Sequence, residues 1–265
     1  MKKILALVLA LILCASMVCV ASAETALEKV LAAGKLVVGT EATYPPYEYL
    51  DDNANFAGCD IWLAQQIADA LGVQLEVVDQ AFDGIIPAVQ AGGVDIGIAA
   101  FTCTPERAEV IDFSDLYETS AQLLIVKAGN ADKYVDKESL KGLKVGAQLG
   151  TIQSGLVESA LPDSELFELD TYPNLALETI NGNIAGFVVD YAVGMAMVNS
   201  SDGALEVAKF EFSAEEASFG KACVLAKGSD DLLAKVNEVI AKVLEDGSYQ
   251  AAYDAAVAAT GETGE

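Results

Sequence analysis

Short apolar runs alternate with amphipathic stretches over most of the chain. Lys35–Thr40 is an almost unbroken apolar run and predicts a buried strand. Apolar residues at helical spacing follow over residues 60–71 and end at Gly72, a common helix C-terminal residue. The same reasoning predicts further strands at 74–78, 95–99, 121–126, 144–149, 186–189 and 222–226, and further helices at 84–91, 151–159, 172–180, 191–198, 230–245 and 248–259. This alternation predicts an α/β fold with mostly parallel sheets and helices on both faces.

The first 23 residues differ from this pattern. Two lysines precede an apolar run over residues 4–20, and the small residues 21–23 follow it as a signal-peptidase site requires. We therefore predict a secretory signal peptide over residues 1–23 and an exported protein, in the periplasm or at the extracellular face of the cell membrane. An uncleaved membrane anchor is one alternative, although the run is short for a span. A lipoprotein signal is another, but neither Cys14 nor Cys19 follows a small residue.

Composition and charge exclude several classes of function. The 265 residues are 53% hydrophobic, which is enough for a core, and the two alternating series suggest two lobes. The formal charge is −25, and it becomes −27 when residues 1–23 and their two lysines are removed. A chain this acidic lacks the electrostatic footprint of a nucleic-acid-binding protein. The chain has no histidine, which excludes Ser–His and Cys–His dyads and HExxH zinc sites.

Cysteines and glycines give no sign of a cofactor. Cys59, Cys103 and Cys223 remain after removal of the signal peptide, so at most one internal disulfide can form. Three small buried hydrophobic residues are the equal alternative. Scattered cysteines without histidine are a poor metal ligand set, and neither GxGxxG nor a Walker A motif occurs. We expect no metal and no cofactor.

Polar and aromatic residues cluster just beyond the predicted strands. Open α/β sheets bind ligands beyond the carboxyl ends of their strands. The residues at those positions are Glu41, Tyr44, Phe82, Thr102, Arg107, Gly150, Thr151 and Asp190. An arginine can hold a carboxylate in a bidentate pair, and the free N–H groups of a helix start can support it. An aspartate can accept hydrogen bonds from an ammonium group, so the set suits a zwitterion.

Each of these residues also has a purely structural interpretation. Arg107 can be a surface helix residue paired with an acid, and Asp190 can be the N-cap of the next helix. Glu41 can be a solvated charge among 40 acidic residues. The two aromatic residues can be packing residues, and the threonines can be turn or cap residues. Position along the chain does not decide between the two interpretations.

A set of short motifs, in a fixed order, resembles one family. Thr102-Cys-Thr-Pro-Glu-Arg107 is one of them, with Thr104 and Pro105 predicted to open a helix. The others lie at residues 36–49, 58–61, 82–88, 111–115, 140–146, 149–151, 188–190 and 245–249. Together they resemble the family 3 extracellular solute-binding proteins, the polar amino-acid receptors of ABC importers. The ordered resemblance covers nearly all of residues 35–253.

The resemblance implies a fold and a domain arrangement. It implies the type II periplasmic-binding-protein fold, with two α/β lobes joined by two crossing strands and a ligand cleft between them. The first lobe would comprise residues 24–121 and, with the C-terminal helices, residues 219–265. The second lobe would comprise residues 122–218. Ligand would close the two lobes over itself.

The resemblance also implies roles for the residues that hold the polar ends of an amino acid. Arg107 would hold the ligand α-carboxylate. Thr102 and the backbone near Gly150 and Thr151 would assist it. Asp190 would hold the α-ammonium group.

The remaining implied contacts concern the ligand side chain. Tyr44 and Phe82 would flank it, and Glu41 would face its far end. Ala100 stands where the family often has serine or glycine, so one hydroxyl contact is missing. No Lys or Arg besides Arg107 is expected near these positions. We therefore expect a polar ligand side chain, cationic rather than anionic.

We therefore expect a receptor that captures an amino acid and delivers this ligand to the permease of an ABC transporter. We expect the receptor to be a monomer and not an enzyme. No nucleic acid is expected as a partner. One alternative is a dehydratase-like enzyme on the same scaffold, with Glu41 or Glu48 as general acid. A sensor ectodomain is another. The sequence does not decide which amino acid binds or which permease is the partner.

Overall fold

The structure is a computed structural model that describes residues 24–213 and 219–261. The predicted signal peptide, residues 1–23, lies outside the described residues. Within those two described ranges, no helix has the length and apolar character needed to cross a membrane.

The strands and helices alternate as the hydrophobic pattern predicts. The strands are β1 (Lys35–Thr40), β2 (Thr43–Tyr44), β3 (Glu48–Leu50), β4 (Phe56–Ala57), β5 (Gln74–Asp79), β6 (Ile96–Gly97), β7 (Ile111–Phe113), β8 (Glu118–Ser120), β9 (Gln122–Lys127), β10 (Lys144–Gln148), β11 (Glu165–Leu169), β12 (Gly186–Asp190), β13 (Leu205–Val207), β14 (Phe219–Lys221) and β15 (Val224–Ala226). The helices are α1 (Ala26–Ala33), α2 (Cys59–Leu71), α3 (Phe82–Ala91), α4 (Pro105–Ala108), α5 (Ile152–Ala160), α6 (Tyr172–Asn181), α7 (Tyr191–Ser200), α8 (Asp230–Glu245) and α9 (Ser248–Ala259).

Two five-stranded sheets organise the fold. The first has the order β5-β1-β6-β15-β7 and the second the order β11-β10-β12-β9-β13. β5, β1 and β6 are parallel, whereas β15 runs antiparallel to β6 and to β7. In the second sheet, β9 runs antiparallel to both β12 and β13. Four strands of each sheet therefore run in one direction, and one strand, β15 or β9, runs against them. The sheets are mixed but mostly parallel, as the alternation predicts. The fold is the type II periplasmic-binding fold of the structural relatives described below.

Two short strands form an antiparallel ribbon at the points where the chain passes between the two sheets. β14 pairs with β8, and Lys221 lies opposite Glu118 in that register. The first sheet takes its strands from residues 35–113 and 224–226, and the second from residues 122–207. The lobe boundaries implied by the resemblance stay a prediction.

Several predicted elements differ from the observed ones at their ends. The strand expected at 95–99 covers only Ile96–Gly97, since the chain bends at Ala100, which has a φ of +48°. The strand expected at 222–226 begins at Val224 and is preceded by a separate strand, β14. β11 was not predicted, because an exposed edge strand with charged residues carries a weak apolar signal.

Buried aliphatic side chains hold helices against the first sheet. Leu36 and Val38 of β1 pack in one core with Leu63 and Ile67 of α2, and all four are essentially inaccessible to solvent. Each such side chain contributes about 1.5–3 kcal/mol relative to an exposed position. This packing fixes the end of β1. The site residues Glu41 and Tyr44 follow directly after that end.

The three cysteines among the described residues are free thiols. Cys59 and Cys223 are buried and Cys103 is partly buried. The interpretation as small buried hydrophobic residues therefore applies to Cys59 and Cys223, and no disulfide joins any of the three. Burial raises the pKa of both buried thiols, so they stay protonated.

Candidate ligand-binding cleft

A cavity lies where the ends of the strands of the two sheets face each other. The space between its walls, including the part open to solvent, is about 320 Å³. Its lining comes from both halves of the chain and consists of Glu41, Tyr44, Glu48, Phe82, Ala99, Ala100, Thr102, Arg107, Gln148, Thr151, Ile152, Gln153 and Asp190. The structure thus brings together all the predicted site residues except Gly150. Gly150 lines an adjoining depression that shares Arg107 and Thr151 with the cavity.

The start of α4 positions Arg107. The Thr104 side chain caps this helix by accepting a hydrogen bond from the Arg107 backbone N–H at 3.2 Å, as the Thr-Pro sequence predicts. The Arg107 guanidinium donates through Nη1 to the Thr102 carbonyl at 2.9 Å and through Nη2 to the Gly150 carbonyl at 3.0 Å. Thr102 precedes α4, and Gly150 follows β10 of the second sheet, so one side chain spans the two halves of the cleft.

Arg107 lies against two aromatic rings and makes no ion pair within residues 24–213 and 219–261. The guanidinium carbon lies 5.5 Å from the ring centres of both Phe82 and Phe101, which stack on each other at 4.7 Å. Burial lowers the pKa of Arg107 to about 10, so the side chain stays charged at neutral pH. Among residues 24–213 and 219–261, no carboxylate forms an ion pair with it. The interpretation as a surface arginine paired with an acid is therefore wrong.

The N-terminus of α5 faces the same cavity. Thr151 occupies the N-cap position, but its hydroxyl donates to the Gln148 carbonyl at 2.7 Å and does not cap the helix. Ile152 and Gln153 begin the helix and line the cavity. Helix N-terminal N–H groups that lack a side-chain cap favour an anion. These N–H groups belong to the second half of the chain, whereas Thr102 belongs to the first.

Glu41 follows β1 and is only 4% exposed. Its carboxylate accepts hydrogen bonds from the Thr43 hydroxyl and, at 3.3 Å, from Nε2 of Gln148. Burial, with a smaller contribution from the charge of Asp79, raises the pKa of Glu41 to about 7, although the two hydrogen bonds oppose the shift. The interpretation as a solvated charge is therefore wrong. Gln148, which also donates to the Asp170 carbonyl at 2.7 Å, is a cavity residue that the sequence analysis did not identify.

Asp190 ends β12 and is 2% exposed. It occupies the N-cap position of α7, but its side chain does not cap that helix. Instead, Oδ2 accepts from the Tyr44 hydroxyl at 2.7 Å and from Nζ of Lys221 at 2.5 Å, and Oδ1 accepts from Nε2 of Gln122 at 2.6 Å. Gln153 holds Gln122 in place through a further hydrogen bond of 2.8 Å.

The expectation that no cation besides Arg107 lies near the site is wrong. Lys221 is 1% exposed and forms an ion pair with Asp190. It reaches Asp190 because β14 pairs with β8, and the next strand, β9, begins at Gln122, which lies opposite Asp190. The order of residues along the chain does not reveal this pairing. One signal was available, namely a single lysine within the apolar run of residues 219–226. A lone charge in such a run favours a buried, paired side chain.

Ala100 lines the cavity without offering its backbone donor. Its N–H donates to Oδ2 of Asp60 at 2.7 Å, and the Tyr117 hydroxyl donates to the same oxygen at 2.9 Å. The missing hydroxyl at Ala100 is therefore not replaced by its amide. Tyr44 is both a packing and a cavity residue, since its ring lies 5.2 Å from that of Tyr172 while its hydroxyl reaches the cleft.

Glu48 adds a protonated carboxyl group to the cavity wall. It is 1% exposed, and burial and the neighbouring charge of Asp60 raise its pKa well above the usual range. A carboxyl group held neutral at pH 7 can donate a proton or a hydrogen bond. In the described ranges, no group of three or more His, Cys, Asp or Glu residues is arranged to hold a metal ion.

The chain belongs to the bacterial extracellular solute-binding proteins, family 3, whose sequence profile matches residues 36–257. The resemblance of the motifs is thereby confirmed over most of the chain. The chain is similar to the L-cystine-binding protein TcyJ of Escherichia coli strain K12, with 32% identity over 228 residues, 86% of this chain and 84% of TcyJ.

Two solved structures are also similar. One is the amino acid ABC transporter substrate-binding protein AbpA from Streptococcus pneumoniae Canada MDR_19A bound to L-arginine, with a TM-score of 0.85, 32% identity and coverage of 89% of this chain and 100% of that one. The other is the ancestral amino acid-binding protein AncCDT-1, a precursor of cyclohexadienyl dehydratase, with a TM-score of 0.81, 33% identity and coverage of 87% and 99%.

Proposed function

We propose that this protein captures an amino acid with a cationic or amide side chain in the cleft and delivers it to the permease of an ABC importer outside the cytoplasm. The observation that carries the proposal is the arrangement of opposite charges within one small cavity. Arg107, which is half-buried and has no ion-pair partner among the described residues, lines the same cavity as the buried carboxyl group of Glu41.

The Arg107 end of the cavity suits a carboxylate. Its guanidinium is already oriented by two neutral carbonyl acceptors, and a ligand carboxylate would supply the missing negative charge. The N-terminus of α5 offers further N–H donors to the same group. A carboxylate held there would touch both lobes, because α4 and α5 belong to different halves of the chain.

The Glu41 end suits a hydrogen-bond donor. An ionised Glu41 accepts from an ammonium, guanidinium or amide group and repels a second carboxylate. Gln148 beside it contributes an amide that can both donate and accept. The names of TcyJ and of the arginine-bound AbpA support an amino-acid ligand, since the first is described as binding L-cystine and the second was solved with L-arginine.

The test is binding of the purified chain to single amino acids, measured by thermal shift and then by titration calorimetry. L-arginine, L-lysine and L-glutamine form the expected group, and L-glutamate and L-aspartate are the matched anionic controls. A ligand at 100 times its Kd adds about 2.7 kcal/mol to stability, which is easily detected. Tighter binding of the acidic pair than of every member of the first group would contradict the proposal.

A second candidate function rests on the protonated Glu48. A neutral carboxyl group in a closed cavity could act as a general acid, and AncCDT-1 is described as a precursor of a dehydratase. We favour binding without turnover, because TcyJ and AbpA are described as binding proteins. Incubation with prephenate separates the two candidates, since release of an aromatic product would support the enzyme.

A further inference from the structure

Lys221 is a buried charged group that pairs with a residue of the cavity wall and that the proposed function does not use. It lies on β14, the strand that returns from the second half of the chain, and its side chain is 1% exposed. Its Nζ atom lies 2.5 Å from Oδ2 of Asp190, the cavity residue that the family resemblance assigns to the ligand ammonium. A protein ammonium group thus already pairs with the carboxylate that would receive a ligand ammonium.

The hydrogen bonds of Asp190 leave little room for another cation. A carboxylate has about four acceptor positions. Tyr44 and Lys221 occupy two at Oδ2, and Gln122 occupies one at Oδ1. The negative charge is also compensated, since Lys221 carries a full positive charge at contact distance.

Arg107 and Asp190 differ in whether a protein charge already pairs with them. The guanidinium of Arg107 contacts only neutral carbonyls of Thr102 and Gly150 among its hydrogen-bond partners in the described chain. A ligand carboxylate would therefore gain a charge-assisted pair there. A ligand ammonium at Asp190 would instead compete with Lys221 and be repelled by it.

Lys221 is held in this position by its surroundings. Its Nζ atom lies 4.6 Å from the centre of the Tyr47 ring, which favours a cation. Desolvation alone would lower the pKa of Lys221, but the charges of Asp190 and Glu118 outweigh it, and the net shift is upward. A buried lysine with these neighbours cannot turn to solvent without leaving Asp190 unpaired, which is costly for either charge.

We propose that Lys221 is a specificity-determining residue that takes the place of the ligand ammonium at Asp190, so that the α-amino group contributes little to binding. This inference rests on the proposed function, because it concerns the same cleft and a ligand carboxylate at Arg107. It predicts that a carboxylic acid with the same polar side chain but no α-amino group binds nearly as well as the amino acid.

The experiment compares matched ligand pairs by titration calorimetry. The pairs are L-arginine with 5-guanidinopentanoate, and L-glutamine with 5-amino-5-oxopentanoate. We expect the wild-type protein to bind the amino acid less than about tenfold more tightly than its deaminated partner, since a charged hydrogen bond of 1.5–3 kcal/mol would give about 10- to 150-fold if it were fully gained. A preference above about tenfold overturns the inference.

Variants of Lys221 supply the second readout. Lys221→Met leaves Asp190 uncompensated, so the ligand ammonium becomes its counter-ion and the preference for the amino acid should rise at least about tenfold. Lys221→Arg keeps the cation and should leave the preference within about threefold of wild type. An unchanged preference in Lys221→Met overturns the inference. If that variant does not fold, the wild-type ratio decides alone.

The two proposals fail in different ways. No binding of L-arginine, L-lysine or L-glutamine contradicts the proposed function itself. Binding of L-arginine or L-glutamine with a large preference over the deaminated partner leaves the proposed function intact and contradicts only the role of Lys221.

Discussion

Replacing Glu41 by glutamine changes the charge in the cleft while nearly preserving the size of the side chain. Glu41 is 4% exposed, and burial raises its pKa to about 7. If a cationic ligand requires the ionised carboxylate, its apparent Kd increases by the factor 1 + 10^(pKa − pH). Binding at about pH 5.5 should then be about 30-fold weaker than in the fully ionised limit, and binding at about pH 8 should be within about 10% of it.

The same pKa shift predicts an effect on stability, with a definite sign. The pKa of Glu41 is higher in the folded chain, at about 7, than its ordinary value of 4.5. The folded state therefore binds more protons than the unfolded state between these values, and the free energy of unfolding decreases as pH rises through that window. At about pH 8, Glu41→Gln should be more stable than the wild type by up to about 3 kcal/mol, from 1.36 kcal/mol per pKa unit.

Calorimetric titrations at about pH 5.5 and pH 8 test the binding effect. L-arginine should lose affinity at the lower pH in the wild type and not in Glu41→Gln, where the titrating group is absent. L-glutamine, which carries no side-chain charge, is the control for other groups that titrate in this range, such as Glu118, whose pKa burial raises to about 7. Equal arginine affinities at the two pH values in the wild type would refute the reasoning, and so would the same pH dependence in the variant.

Three further predictions address the carboxylate site, the motion and the fold. Arg107→Lys should weaken ligand binding by about 2–5 kcal/mol, because an ammonium cannot make two parallel N–H bonds, and near-normal affinity in calorimetry would contradict this role. Saturating L-arginine should reduce the radius of gyration in small-angle scattering, since a ligand that contacts both lobes favours the closed state; an unchanged radius would argue against closure. Gly58→Ala should lower the free energy of unfolding by at least about 2 kcal/mol in chemical denaturation, because φ is +113° and the new Cβ would overlap the Tyr47 carbonyl oxygen. The matched control is Gly84→Ala, where a Cβ meets nothing within 4 Å; an equal loss there would contradict the steric argument.

Local patterns predicted most of the secondary structure. An apolar run such as Lys35–Thr40 is determined by the burial of its own side chains, so it can be recognised without knowledge of its neighbours. The Thr104–Pro105 start of α4 was predicted for the same reason, because a helix cap involves residues within one turn. Edge strands such as β11 were not predicted, since their exposed faces weaken the apolar signal.

The predicted site residues other than Gly150 line one cavity, but their electrostatic state could not be predicted from the sequence. Glu41 and Gln148 are 107 positions apart and meet only because two different sheets face each other. The pKa of Glu41 depends on how completely that contact excludes water, which is a property of the assembled lobes.

Lys221 is the sharpest example of what only the tertiary structure decided. The sequence determined that a lone lysine stands in an apolar run and that Asp190 follows a strand. It did not determine that the two would form a buried ion pair, since they lie on different strands, β12 and β14, 31 positions apart. Hydrophobic periodicity reports which face of an element is buried, whereas the partner of a buried charge depends on the distances between elements. Those distances are set by the packing of the whole fold.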